Sequence, residues 1–201
     1  MRNSLFAIYI GLMSYGSCWG AEVAEVTRAP GGSIKTVLSR NIVLNSESSL
    51  AREWIAVHQP NYPAKLKGTP GVTTRYKSGG EYSRGEYQYH VSLKFWLYEA
   101  ITAIEIRFLM FDIWGQHVKS LSLTEIRDFN PDLNKLSGAW RIFSENEASE
   151  YYASITYIAR VRTRDGRIIS ADIAPVLAEA RRLSEKFSES DLDPEKPESA
   201  N

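Results

Sequence analysis

Any chemistry in this chain of 201 residues would have to come from a short inventory of reactive side chains. The three histidines, His58, His90 and His117, stand in no spacing with another His, Asp or Glu that would gather ligands on one helix face or in one loop. Neither a metal site nor any other cofactor is therefore expected. His90 falls on the outer side of an alternating segment, where a solvated or hydrogen-bonded imidazole is the ordinary outcome, and His117 follows a turn. No Gly-x-Ser-x-Gly elbow, phosphate loop or dinucleotide fingerprint occurs. Glu145, Glu147 and Glu150 could bring carboxylates together for acid–base work, but the polar run 144–150 reads as a solvated loop. The inventory predicts a non-enzymatic protein, with an unrecognised hydrolase as the alternative.

Two clusters point instead to binding. Tyr76, Tyr82, Tyr87 and Tyr89 are interspersed with Gly79, Gly80 and Gly85, a tyrosine- and glycine-rich loop running into a long strand. Exposed rings such as Tyr76 and Tyr82 would stack on sugars or anchor a protein partner, because tyrosine offers a large flat area with a polar tip. The plainer expectation is that Tyr87 and Tyr89 are core and the other two cover a loop. Arg160, Arg162 and Arg164 alternate along a second strand, on the side opposite Tyr157 and Val161. They would suit an anionic ligand, unless Glu105 and neighbouring acids across the sheet neutralise them.

The only thiol, Cys18, lies in a leader. Arg2 precedes an apolar run over residues 5–13 that is too short to span a bilayer, and no acid occurs before Glu22. Residues 1–20 read as a signal peptide, with Cys18 and Gly20 as the small residues for cleavage before Ala21. The alternative is a lipoprotein box over residues 15–18, which would place a lipid anchor on Cys18, although Tyr15 stands where an aliphatic residue is usual. The expected location is the periplasm or the exterior, with anchoring as a membrane lipoprotein as its variant. No transmembrane span is expected once the leader is removed.

Lys plus Arg equals Asp plus Glu at 24 each, so no nucleic-acid partner is indicated; such a partner calls for clustered positive charge. The eleven tyrosines and five tryptophans suit half-buried strands. In residues 87–97, Tyr87, Tyr89, Val91, Leu93, Phe95 and Leu97 alternate with Gln88, His90, Ser92, Lys94 and Trp96, the period of a strand with one buried face. Residues 101–112 continue as a strand whose second face is partly covered by Leu109 and Phe111. Residues 118–126, 140–143 and 154–164 follow as strands, with loop signals at Asn130-Pro131-Asp132 and Gly138. Asp165-Gly166 predicts a tight hairpin into residues 168–171. Ile173, Val176, Leu177, Ala180, Leu183 and Phe187 recur at helical spacing, predicting an amphipathic helix over 173–187 with Asp172 as its cap.

The ends are less patterned. Residues 21–49 read as a linker with an early edge element, in which 34–44 is a short strand pair. Residues 50–57 fit either a strand or a helix. Residues 188–201, acidic and with two prolines, read as a disordered tail. One sandwich domain over 50–187 remains.

The stretch Phe108-Leu109-Met110-Phe111-Asp112, followed by Gly115, is similar to the motif that names the FxLYD domains, with Met110 in place of Leu and Phe111 in place of Tyr. The resemblance covers roughly residues 87–172. It implies a small immunoglobulin-like antiparallel β-sandwich in an extracytoplasmic protein, and it implies compartment and fold rather than a reaction. Taken together, the expectation is a mainly β, immunoglobulin-like sandwich with one C-terminal amphipathic helix. It would act as an interaction or structural module of the cell envelope, contacting an envelope protein or a glycan; a carbohydrate-binding module using the tyrosine loop is the alternative.

Overall fold

Strict alternation of apolar and polar residues from Tyr87 to Leu97 produces strand β6 (Glu86–Leu97), in which Tyr89, Val91, Leu93, Phe95 and Leu97 are buried while Ser92, Lys94 and Trp96 face solvent. A computed structural model describes residues 23–28, 34–44, 51–79, 85–142 and 151–194. Within them β6 is the centre of the smaller of two sheets. Strand β9 (Leu133–Arg141) runs antiparallel along one edge of β6, and β5 (Thr73–Lys77) and β4 (Ala64–Leu66) share the other edge at opposite ends.

The larger sheet has the order β1 (Val23–Arg28), β2 (Ile34–Leu44), β3 (Ala51–His58), β10 (Tyr151–Thr163), β7 (Ile101–Asp112) and β8 (His117–Phe129). The short β11 (Ile168–Ser170) lies beside β10 beyond the end of the β3 ladder. All its neighbouring strands are antiparallel except β3 and β10, which run parallel. The two sheets pack face to face over a core that includes Ile104, Ile106, Phe108 and Met110 from β7 and the five buried residues of β6. Edge-on ring pairs bridge the layers, Phe95 with Phe129 at 5.9 Å and Phe108 with Trp140 at 5.8 Å. Among the described residues the result is the predicted β-sandwich with one α-helix.

The larger sheet is covered on its far side as well. Helix α1 (Ala174–Leu183) lays Val176 and Ala180 on Ile55, Val57, Leu109, Phe111, Ile155 and Tyr157. This second core explains why β7 and β10 are buried almost continuously, whereas β6 alternates. It also settles residues 51–57 of the segment that fits either a strand or a helix: with Ala56 turned to the inner core and Ile55 and Val57 to the outer one, they form a strand using both faces.

Several expectations need correcting. The edge element expected within residues 21–49 is more extensive than a linker with one short strand pair: residues 23–28 and 34–44 are two strands at the edge of the larger sheet, and the second is one 11-residue strand, not a pair. Gly138 sits within β9 opposite Val91, where a β-carbon would press on Leu123 and Trp140, each at 3.0 Å; this close approach, not a turn, accounts for the glycine. The helix stops at Leu183, and Phe187 reaches the core from the segment beyond it, packing on Phe111 and His117 at 5.5 and 5.0 Å. Asp172 stands one place before the N-cap Ile173, its Oδ1 accepting from Ala174 N–H at 3.0 Å. Nor does the chain lose its structure at Ser188. Ser188 and Asp191 form a reciprocal capping box on a 3-10 turn (Glu189–Leu192), and Leu192 is buried against the second core. One apolar residue in an acidic run is enough when a matching recess exists. The expected hairpin is present, with Gly166 at φ +91° and Thr163 N–H donating to the Arg167 carbonyl at 2.9 Å.

Placing a carboxylate at Val91 or Phe108, both fully buried between the sheets, should unfold the protein, whereas Ser92→Asp on the solvent side of the same strand should be tolerated. Thermal melts followed by circular dichroism should show loss of a cooperative transition in the first two variants and a shift of no more than a few degrees in the third.

Candidate functional site

The structure treats the two binding clusters differently. Tyr76, on edge strand β5, lies opposite Tyr87, a residue that packs against the core between the sheets, so its ring stands on the inward side at the mouth of the sandwich. It is 55% exposed and is braced by the Tyr87 ring at 5.1 Å, tilted by 60°. Tyr89 is fully buried, edge-on to Tyr151 at 6.3 Å. Tyr82 lies outside the described residues, as do Cys18, the leader expected over residues 1–20 and the acidic run 144–150.

The arginines do not form one patch. β10 carries an extra residue between Ile158 and Arg160, a bulge that shifts the side-chain alternation. Sequence alternation placed Arg160 opposite to Tyr157; the bulge instead puts both on the outer face of the larger sheet, level with Glu105 and Arg107 of β7. Arg160 pairs through Nε with Glu105 Oε2, while Arg107 Nε donates to Glu105 Oε1 at 2.7 Å. Arg107 Nη1 reaches on to the Leu192 carbonyl and to Asp193, each at 3.1 Å. Burial works against the Arg107 cation, but the hydrogen bond and charge of Glu105 outweigh it and raise its pKa. Burial likewise pushes the Tyr157 hydroxyl up, partly offset by Arg107. Arg162 projects beyond this network, exposed, and Arg164 has left the strand for the turn, where its Nη2 lies 3.5 Å from Asn130 Oδ1. Glu105 thus takes up Arg160 as a structural ion pair, and what joins these residues is the docking of the C-terminal segment.

A second polar cluster is buried where β3, β5 and β10 meet. Arg52 lies over the Tyr151 ring at 4.4 Å, and its Nη2 donates to Thr74 Oγ1 at 3.1 Å. The Tyr151 hydroxyl donates to the Val72 carbonyl at 3.0 Å and stands 3.0 Å from Ser154 Oγ; burial raises its pKa to about 12. Thr156 Oγ1 donates to the Pro70 carbonyl at 2.8 Å. These contacts pin the loop before β5 to the larger sheet, and sequence reasoning missed them because their partners lie 79 and 86 residues apart. His58 is also buried, at one end of β3 beside a small recess lined by Tyr62, Lys65 and Ile158. Desolvation, helped by the charge of Lys65, lowers its pKa to about 4. A neutral imidazole and a protonated phenol held this firmly serve as packing elements. Among the described residues no group of three His, Cys, Asp or Glu side chains could hold a metal ion, and no helix is long and apolar enough to cross a membrane.

Replacing Glu105 with Ala should remove about 3 kcal/mol of stability in urea unfolding, because two guanidinium groups lose their shared anion. Arg160→Ala should remove under about 1 kcal/mol, since that side chain is 61% exposed. His58 supplies a pH dependence. Its folded pKa of about 4 lies below the ordinary value of 6.5, so the unfolded chain binds the proton more readily; stability is full above pH 6.5 and falls as the pH drops towards 4. His58→Gln should flatten the decline in unfolding free energy measured between pH 7 and pH 4.5.

No family model matches the chain, and no curated protein matches it. Among solved structures, a hypothetical protein from Peptoclostridium difficile 630 is similar at a TM-score of 0.43 and 10% identity, over 61% of this chain and 92% of the other.

Proposed function

We propose that the protein is a non-enzymatic interaction module of the cell envelope, working by surface contact from a rigid β-sandwich. The observation that carries this reading is the asymmetry of the layers. The outer face of the larger sheet is roofed by α1 and the C-terminal segment, while the outer face of the smaller sheet is left open along β6, with Ser92, Lys94 and Trp96 all exposed. The shifted titratable groups His58, Tyr151 and Arg107 each sit inside packing networks, which supports a structural use for them. The leader expected over residues 1–20 and the FxLYD-like stretch 108–112 support the envelope as its compartment; anchoring through Cys18 is the lipoprotein variant.

A photo-crosslinking residue at Ser92, in the middle of the open face, should capture a component of the envelope in cells, and one at exposed Lys186 on the roofed side should not. Equal capture from both positions, or none from either, would sink the reading.

A carbohydrate-binding module is the second reading, favoured by the braced and half-exposed ring of Tyr76. On that reading Tyr76→Ala combined with Tyr82→Ala should leave the melting curve near that of wild type and abolish signals on a glycan array, because central aromatic anchors often contribute about 2 kcal/mol or more each. An array on which the double variant matches wild type would dismiss the tyrosine loop as a binding site.

A further inference from the structure

The open face of the smaller sheet has a chemistry of its own. Lys94 on β6 lies directly opposite Lys135 on β9, and one step along the sheet Trp96 lies opposite Lys65 on β4. Lys67, just beyond β4, holds its Nζ 5.9 Å from the Trp96 ring. Neighbouring strands stand about 4.8 Å apart and alternate residues about 7 Å, so these four ammonium groups sit on the order of 10 Å from one another. That is about one Debye length at physiological salt, and the four act as a single cationic surface.

Among the described residues no carboxylate pairs with it. None of the four lysines makes an ion pair with a described residue, and Glu99, five residues past Lys94, is instead paired with Arg167 at 3.2 Å. Like charges directly opposite on a sheet destabilise it. In a chain whose acidic and basic residues balance at 24 each, such crowding is not a by-product of basic composition. Exposed aromatic side chains accompany the surface, Trp96 at 40% on the strand and Tyr98 at 65% one residue past its end.

We infer that this face docks on an anionic lipid bilayer, with Lys65, Lys67, Lys94 and Lys135 over the headgroups and Trp96 and Tyr98 at the headgroup boundary. The inference rests on the reading of the open face as the contact surface. A pleated sheet spreads its charges over a plane, which fits a headgroup layer better than a single linear chain. Lysine stems and amphipathic aromatic rings are also the side chains that settle at that boundary, apolar body inward and polar tip in water.

The test is co-sedimentation of the full chain with vesicles of phosphatidylcholine alone and of phosphatidylcholine with 30% phosphatidylglycerol. The readout is the difference between the two, because the apolar leader would insert into either. Wild type should prefer the anionic vesicles at 50 mM NaCl and lose that preference at 500 mM. Lys94→Ala should weaken the anionic component about fivefold and Lys94→Ala with Lys135→Ala about 25-fold. Trp96→Ala should weaken it too and Tyr76→Ala should not, and the lysine variants should melt no lower than wild type, since each relieves a like-charge contact. No preference for anionic vesicles, or a preference indifferent to the lysines, overturns the inference. If wild type shows no such preference but captures an envelope component through Ser92, the bilayer assignment fails and the contact-surface reading stands; if that capture fails as well, both fall.

Discussion

The antiparallel ladder between β7 and β10 is buried on both of its faces, and the rest of the molecule is arranged by that requirement. A strand pair with apolar side chains on each side exposes two surfaces that water penalises. The smaller sheet covers one, through Tyr89, Val91, Leu93, Phe95 and Leu97; α1, Phe187 and Leu192 cover the other. Among the described residues no third layer covers the smaller sheet, and its outer residues are polar or charged apart from Trp96, Ala139 and the half-buried Leu133. Which face is free for contact is thus decided by which strands need burying twice.

Glu105 shows how the second layer is held in place. A carboxylate on a nearly dry sheet face is costly unless it is paired, and here two guanidinium groups from adjacent strands share it. Arg107 in turn reaches the Leu192 carbonyl, so the charge needed at Glu105 also fastens the C-terminal segment that roofs Leu109 and Phe111. The bulge at Ile158 and Arg160 makes this geometry available by turning Arg160 to the same side as Tyr157.

Much of this was legible in the sequence, and the failures share a cause. Period-two alternation located β6 and its buried face, because one-sided burial writes itself into the residue order. The Asp165-Gly166 hairpin was legible because its φ requirement is local. The face of Arg160 was not, since a bulge inserts one residue without any marker and inverts the alternation after it. Leu192 gave no periodic signal: a single apolar residue among acids predicts a solvated tail until the recess it fills is known. Gly138 looked like a loop and proved to be a strand residue chosen for space beneath Leu123 and Trp140. Register, bulges and the identity of the layer overhead are long-range facts, and composition carries none of them.

Charge is a further case in which the one-dimensional inventory misleads. Equal numbers of acids and bases argued against a polyanionic partner, and for the chain as a whole that balance holds. Folding sorts the charges unevenly, however. Glu53 and Glu105 are drawn into ion pairs with Arg182, Arg107 and Arg160 on the roofed side of the larger sheet. Lys65, Lys94 and Lys135, separated by up to 70 positions in sequence, are brought side by side on the open face by the β4–β6 and β6–β9 registers alone. Potential at a surface depends on charges within about a Debye length and not on the sum over the chain. A neutral sequence can therefore present a cationic plane, and the two sheet registers that place Trp96 among those lysines decide what that plane can touch.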